Sequence, residues 1–177
     1  MIAINAREVA AQVLTDIQKD DAYSNIALKK ALKANGAMDE KNRAFVTEIV
    51  NGSLRNIIYI DYIINSFSSV KTEKMKPWLL AVLRCAVYQM FFMNVPHSAA
   101  INEAVKLIKQ KGMGRLSGFA NAVLRNISRK GEETVLPDKT KNFAEYVSIK
   151  YSHPLWLVKM WISYYGEDFT EKLCMAD

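Results

Sequence analysis

The chain has 177 residues, half of them hydrophobic and 24% charged. That suffices for a real core in one compact domain with a small appendage, and it argues against disorder. Two cysteines, Cys85 and Cys174, fit no disulfide framework and no zinc spacing, the opening MIAINAREVAAQVL reaches Arg7 and Glu8 before any signal-length apolar run, and no stretch approaches a membrane span; a cytoplasmic chain with reduced thiols is expected.

Apolar residues recur at three and four, and glycine and proline are scarce, so an all-α fold is predicted. Asn5 is expected to cap a first helix with Val9, Val13 and Ile17 on one stripe and Ala10 and Leu14 beside it. A second helix from Ser24 turns Leu28 and Leu32 inward and stops at Gly36, a residue suited to the left-handed C-terminal position. Asp39 is expected to cap a third, with Phe45, Ile49 and Ser53 on one face; its pattern runs on to Phe67, a length that invites a kink at Gly52. Residues 76–93 are apolar almost all round and predict a central helix buried on most sides. Pro96 then breaks the chain, and Ser98 is expected to cap a helix whose Ile101, Val105 and Ile108 face inward until Gly112. A further helix turns Leu116, Phe119, Val123 and Ile127 inward. Residues 131–140 have the composition of a linker, and two or three short aromatic-rich helices follow, interrupted at His153-Pro154. The expected organisation is six or so helices over 1–130, a linker at 131–140 and a helical extension over 141–177.

The net charge of +6 is unevenly placed. Residues 1–102 carry twelve Lys/Arg against nine Asp/Glu, residues 103–130 seven against one, and residues 131–177 five against eight. A phosphate-binding surface and a merely solvated helix face both account for the basic segment. Within it, Lys106, Lys109, Lys111 and Arg115 surround a glycine turn, while Arg125, Arg129 and Lys130 occupy the helix after it. The candidate RNA-binding set is Arg7, Lys106, Lys109, Lys111, Arg115, Arg129 and Lys130, with Lys29 and Lys30 as an extension beside Arg7. No aromatic base platform is apparent, so readout of backbone and shape is expected.

Other chemistry finds little footing. His97 and His153 each adjoin a proline at a helix break, without a metal-spaced partner, and read as structural or surface residues. GMGRLSG, with Gly112, Gly114 and Gly118, follows the helical KLIKQK rather than a strand and departs from G-x-G-x-x-G, so it reads as a helix-to-helix turn and not a cofactor cradle. Cys85, inside LRCAVYQ, reads as a buried apolar residue. No catalytic, cofactor-binding or metal-ligating residue is assigned.

Four segments carry a resemblance over essentially the whole chain: NGSLRN (Asn51 to Asn56), YQMFFMNVPHSAAINEAVKLIK (Tyr88 to Lys109), GFANAVLRNISR (Gly118 to Arg129) and KYSHPLWLVKMWISYYG (Lys150 to Gly166). Together they resemble the NusB-like N-terminal domain of bacterial 16S rRNA cytosine 5-methyltransferases, the RsmB (Sun/Fmu) family, and the segment leading out of it. The resemblance implies a NusB-like fold of two packed three-helix subdomains that engages ribosomal RNA. It places catalysis, with S-adenosylmethionine and two cysteines, in a C-terminal domain that Asp177 precedes. The implied partners are 16S rRNA or its small-subunit precursor and that methyltransferase domain in cis, with no membrane. Tyr88, Pro96, Asn102, Glu103, Phe119, Asn121 and Leu124 are expected to pack or cap. Arg125 stays open between RNA and the fold, and Trp156, Trp161, Tyr164 and Tyr165 are expected to pack against the linker or the following domain. Two rivals remain: a free-standing NusB-type transcription antitermination factor, which would end near VLRNISRK, and a helical protein-interaction domain.

Overall fold

The computed structural model describes residues 3–176, and among them all regular structure is helical. Helix α1 spans Ala6–Asp20, α2 Ser24–Ala34, α3 Glu40–Arg55, α4 Ile57–Phe67, α5 Pro77–Phe92, α6 His97–Gln110 and α7 Ser117–Lys130. Three shorter helices follow: α8 (Phe143–Tyr151), α9 (Leu155–Tyr165) and α10 (Glu167–Ala176). Two of the three predicted side-chain caps are borne out. Asn5 Oδ1 accepts from the Arg7 and Glu8 amides at 3.0 and 3.3 Å, and Asp39 Oδ1 from the Asn42 amide at 2.8 Å, each satisfying first-turn donors that the helix itself leaves open.

Helix α5 is the hub that its composition predicts. Leu79, Leu80, Val82, Leu83, Val87 and Met90 are all buried, and the helix packs against α1 and α3 on the one hand and α4, α6 and α7 on the other. Helices α1 to α3 contact one another, as do α4 and α7 and α6 and α7, so two groups of three share α5 and a single continuous core. Arg84, the half-buried cation of this helix, holds Asp61 of α4 by two hydrogen bonds, Nε to Oδ1 at 2.8 Å and Nη2 to Oδ2 at 2.7 Å.

Three local expectations are corrected. The long third helix breaks at Asn56, not Gly52, giving seven α-helices among the described residues before 131, in keeping with the six or so expected. Asn56 leaves helical geometry (φ −107°, ψ 19°), and both its amide and its side-chain Nδ2 donate to the Gly52 carbonyl. Gly52 serves close approach instead: a Cβ there would run into the ring of Tyr88 on α5. Ser98 caps nothing, because α6 already starts at His97, behind Pro96, whose carbonyl accepts from the Ala100 amide at 3.1 Å. Gly36 does not take the left-handed position; the Asn35 amide and side chain both donate to the Ala31 carbonyl and close α2 without it.

His97 pins three elements. Its Nε2 lies 3.0 Å from the Met90 carbonyl at the end of α5 and its Nδ1 2.9 Å from Ser128 Oγ near the end of α7. A carbonyl only accepts, so Nε2 donates to it. Beyond α7, Gly131 is buried against Phe91, and the Tyr62 hydroxyl donates to the Val135 carbonyl at 2.7 Å. Helices α8 to α10 close around a small core of Val147, Val158 and Cys174, with Trp161 and Ile162 packed on it. Ser152, left-handed at φ 59°, ties this part to α4: its Oγ accepts from the Ile58 amide at 3.0 Å. That hydrogen bond satisfies a first-turn donor of α4, for which Asn56 supplies no side-chain cap.

Candidate nucleic-acid interface

Helices α6 and α7 pack as an antiparallel hairpin, since the turn 111–116 joins one end and His97 meets Ser128 at the other. The Ala100, Ile101, Ala104, Leu107 and Ile108 face of α6 and the Ala120, Val123, Leu124 and Ile127 face of α7 are buried. Helical spacing then sets Lys106 and Lys109 outward on α6, and Arg125, Arg129 and Lys130 outward on α7.

The turn is built by Gly112 at φ +76°, which ends α6 in the left-handed region where a side chain is strained. The Met113 amide closes it on the Ile108 carbonyl at 3.1 Å, and Ser117 Oγ on the Gly114 carbonyl at 2.6 Å. It joins helix to helix, as its sequence context predicts. It does not fit an S-adenosyl group or dinucleotide: no strand precedes it, and a 3-10 turn at Gly114–Leu116 occupies the place of a phosphate or ribose cradle. Leu116 heads α7 without a side-chain cap, so the positive end of that helix's dipole stands beside Arg115.

The seven candidate cations do not form one patch. Lys106, Lys109 and Arg115 are exposed at the turn end, and no acceptor engages them among the described residues. Lys111 is exposed but engaged: its Nζ donates to Gln12 Oε1 of α1 at 3.2 Å and lies 4.5 Å from the centre of the Trp78 ring. Arg129 and Lys130 stand at the far end of the hairpin, about 20 Å away for a 14-residue helix. Arg129 donates to the Arg125 carbonyl and Asn126 Oδ1 at 3.3 and 3.4 Å, and Arg125 Nε to Asn121 Oδ1 at 3.1 Å. Arg7 belongs to neither group: half-buried, it gives Nε to Gln89 Oε1 at 2.7 Å and lies 5.1 Å from the Phe45 ring centre.

The partners Gln12, Trp78 and Gln89 were missed in the sequence. Gln89 alone left a signal, as a polar residue in the otherwise apolar stretch from Cys85 to Phe92. The residues expected to pack largely do: Tyr88 and Leu124 are buried and Phe119 half-buried, while Asn102 is exposed on the outer face of α6. The four tail aromatics divide, with Trp161 packed inward beside His153 and Trp156, Tyr164 and Tyr165 exposed. Burial pushes the Cys85 thiol up to about 12, the opposite of a nucleophile's requirement.

Two three-helix groups about a shared buried helix, with a cationic hairpin on the surface, define a small all-helical domain whose recognisable chemistry is charge and shape. The chain belongs to the NusB family, whose profile matches residues 4–129. It is 38% identical over 171 residues to the probable ribosomal RNA small subunit methyltransferase B of Bacillus subtilis (strain 168), a match covering 96% of this chain and 37% of the relative. The transcription antitermination protein NusB of Bacillus velezensis is 33% identical over 124 residues, 69% of this chain and 92% of that protein. A solved structure of the antitermination factors NusB and NusE in complex with dsRNA superposes at a TM-score of 0.66 and 20% identity, over 70% of this chain and 93% of that one. The chain thus spans little more than a third of the methyltransferase it resembles. No helix among the described residues is long and apolar enough to cross a membrane.

Proposed function

We propose that the chain is the RNA-binding part of an S-adenosylmethionine-dependent 16S rRNA cytosine 5-methyltransferase acting in the cytoplasm, and that it grips ribosomal RNA backbone at the α6–α7 turn. The observation that carries this reading is the set of exposed cations Lys106, Lys109 and Arg115, which form no salt bridge among the described residues, beside the start of α7, which no side chain caps. A solvated helix face needs no such convergence at one end of a hairpin. Lys111 completes the set, with its ammonium oriented by Gln12 and Trp78. Arg129 and Lys130 form a second contact further along the same strand or helix of RNA. Arg7 contributes through the guanidinium nitrogens that Gln89 does not occupy. Cofactor and catalysis belong to the remainder of the parent enzyme.

The free-standing antitermination reading has one observation in its favour, the 33% identity to NusB. Against it stands α8 to α10, which the methyltransferase match includes and the NusB family profile does not. The test is binding of a 16S rRNA fragment by the chain carrying Lys109→Glu and Arg115→Glu, two changes that disturb no packing contact. Affinity should drop at least tenfold at low salt with helix content unchanged; undiminished affinity sinks the assignment of the turn.

A further inference from the structure

Helices α1 and α2 leave an open groove between them, about 660 Å³ in volume. The sequence explains the gap. Leu28 is the buried residue of α2, while Ala27, Ala31 and Ala34, which line the groove at helical intervals, end in methyl groups too short to fill it. The floor is apolar: Val9 of α1 and Ala27 and Ala31 of α2 are half-buried there, and Ile26 stands 60% exposed near the start of α2. The wall that α1 supplies is not. Glu8, Gln12, Asp16 and Asp20 line it at four-residue intervals, so a polar group recurs about every 6 Å over about 18 Å of helix. Gln12 Nε2 donates to Asp16 Oδ1 at 2.8 Å. In a chain of net charge +6, no salt bridge engages Glu8, Asp16 or Asp20 among the described residues, and Lys30 of α2 is the cation that shares the groove with these three carboxylates.

Charge and shape choose the occupant. A wall of carboxylates repels phosphate, so the groove does not take RNA. Its floor suits apolar side chains, and its wall suits cations spaced one helical turn apart. An amphipathic helix with Leu or Ile on one stripe and Lys or Arg beside it supplies both, and helices commonly seat an apolar face in such grooves. We propose that the α1–α2 groove is the docking place of a basic amphipathic helix from a partner protein, its apolar stripe on Val9, Ala27 and Ile26 and its cations on Glu8, Asp16 and Asp20. This docking does not depend on the methyltransferase reading, since only α1 and α2 take part. The groove nevertheless adjoins the proposed RNA contact: Gln12, between Glu8 and Asp16 on the wall, accepts from Lys111 of the α6–α7 turn at 3.2 Å. One glutamine side chain thus stands between an acidic wall and a cationic turn, and the opposite charges give protein partner and RNA neighbouring lanes that neither can exchange.

Fluorescence anisotropy with a labelled synthetic peptide tests the groove. The probe is a helix of Leu, Ala and Lys, about five turns or roughly eighteen residues long, with a leucine stripe flanked by lysines at four-residue intervals. The control has the same composition in an order that forms no stripe. The chain should bind the probe at least tenfold more tightly than the control; equal affinities mean plain charge attraction and overturn the proposal. Ile26→Ser, at an exposed position, and the isosteric set Glu8→Gln, Asp16→Asn and Asp20→Asn should each weaken the probe at least fivefold with helix content unchanged. Undiminished affinity in either variant refutes the groove. A 16S rRNA fragment, with no peptide present, should bind the Ile26→Ser chain as it binds the wild type; a loss there gives the groove to RNA and overturns the proposal. Sedimentation of the chain alone should show no dimer that Ile26→Ser dissolves, and such a dimer overturns the proposal in favour of self-association. The Lys109→Glu, Arg115→Glu chain should still tell probe from control, so a failure of the RNA assignment at the α6–α7 turn leaves the groove to be decided by its own test.

Discussion

Cys85 shows how burial turns a reactive group into a packing atom. Its thiol ionises at about 12 instead of the ordinary value near 9 because no solvent stabilises the thiolate. From pH 9 to 12 the unfolded chain has lost a proton that the folded chain keeps, so the stability this group contributes is whole below pH 9 and declines as pH rises through that window. Cys85→Ala should therefore flatten the alkaline fall of the urea midpoint, although it lowers the midpoint itself. An identical slope in wild type and variant would assign the fall elsewhere, with Tyr88 the next candidate, since burial and its hydrogen bond to Glu48 also push it up to about 12. Iodoacetamide at neutral pH should leave Cys85 unmodified until the chain is unfolded. The glycines give a second residue-scale contrast. Gly52→Ala should destabilise by about 1–3 kcal/mol, because Tyr88 is held by Glu48 and stacked on Phe92 and cannot swing aside freely. Gly118→Ala, in a helix with nothing within 4 Å of the added carbon, should stabilise by roughly 0.5–1 kcal/mol. Chemical denaturation measures both signs.

At the scale of elements, periodicity and caps made most helices legible, because Asn5, Asp39 and the all-round apolar α5 act locally. Of the three misread joints only the one at Gly52 involves a contact far along the chain; at Asn35 and at Pro96 a backbone hydrogen bond four residues away does what the glycine and the serine were expected to do. Asn56 ends α3 through a hydrogen bond back to Gly52, but that glycine is needed for a tyrosine thirty-six residues later in the chain. The segments that carried the family resemblance meet at such joints: Gly52 touches Tyr88, and His97 holds Ser128. They are legible as a family signature because they fix the fold, and for the same reason they say little about RNA. The candidate site was legible as a charge excess but not as an arrangement. The separation of Arg129 and Lys130 from the turn follows only once α6 and α7 are known to be antiparallel. Each cation that meets a phosphate contributes about 0.7 to the salt slope on single strands and about 0.9 on duplex. Lys109→Glu with Arg115→Glu should lower that slope by roughly 1.5 or more. Arg129→Ala with Lys130→Ala should lower it independently, by an increment that adds to the first if both ends of the hairpin touch one RNA.

For the whole molecule, the relation between the core around α5 and the tail around Val158 depends on few polar links, of which Ser152 to Ile58 is the most specific. Ser152→Ala leaves that amide without its acceptor and should cost about 1 kcal/mol. Hydrogen exchange at Ile58 should quicken more than at Ile63 in the same helix. Equal quickening along α4 would show a general loss of stability and not a loosened seam.

The ammonium of Lys111, 4.5 Å from the Trp78 ring centre, has an optical consequence. The three tryptophans occupy three settings: Trp78 is buried beneath this charge, Trp161 is partly covered, and Trp156 is open to water. If a phosphate draws the ammonium away from the indole, Trp78 changes its emission while its burial stays the same. With Trp156 and Trp161 replaced by phenylalanine, the chain becomes its own fluorescent gauge of RNA engagement at the turn. A titration that shifts this emission in the otherwise wild-type chain, and fails to do so after Lys111→Gln, would time the arrival of RNA at one named nitrogen.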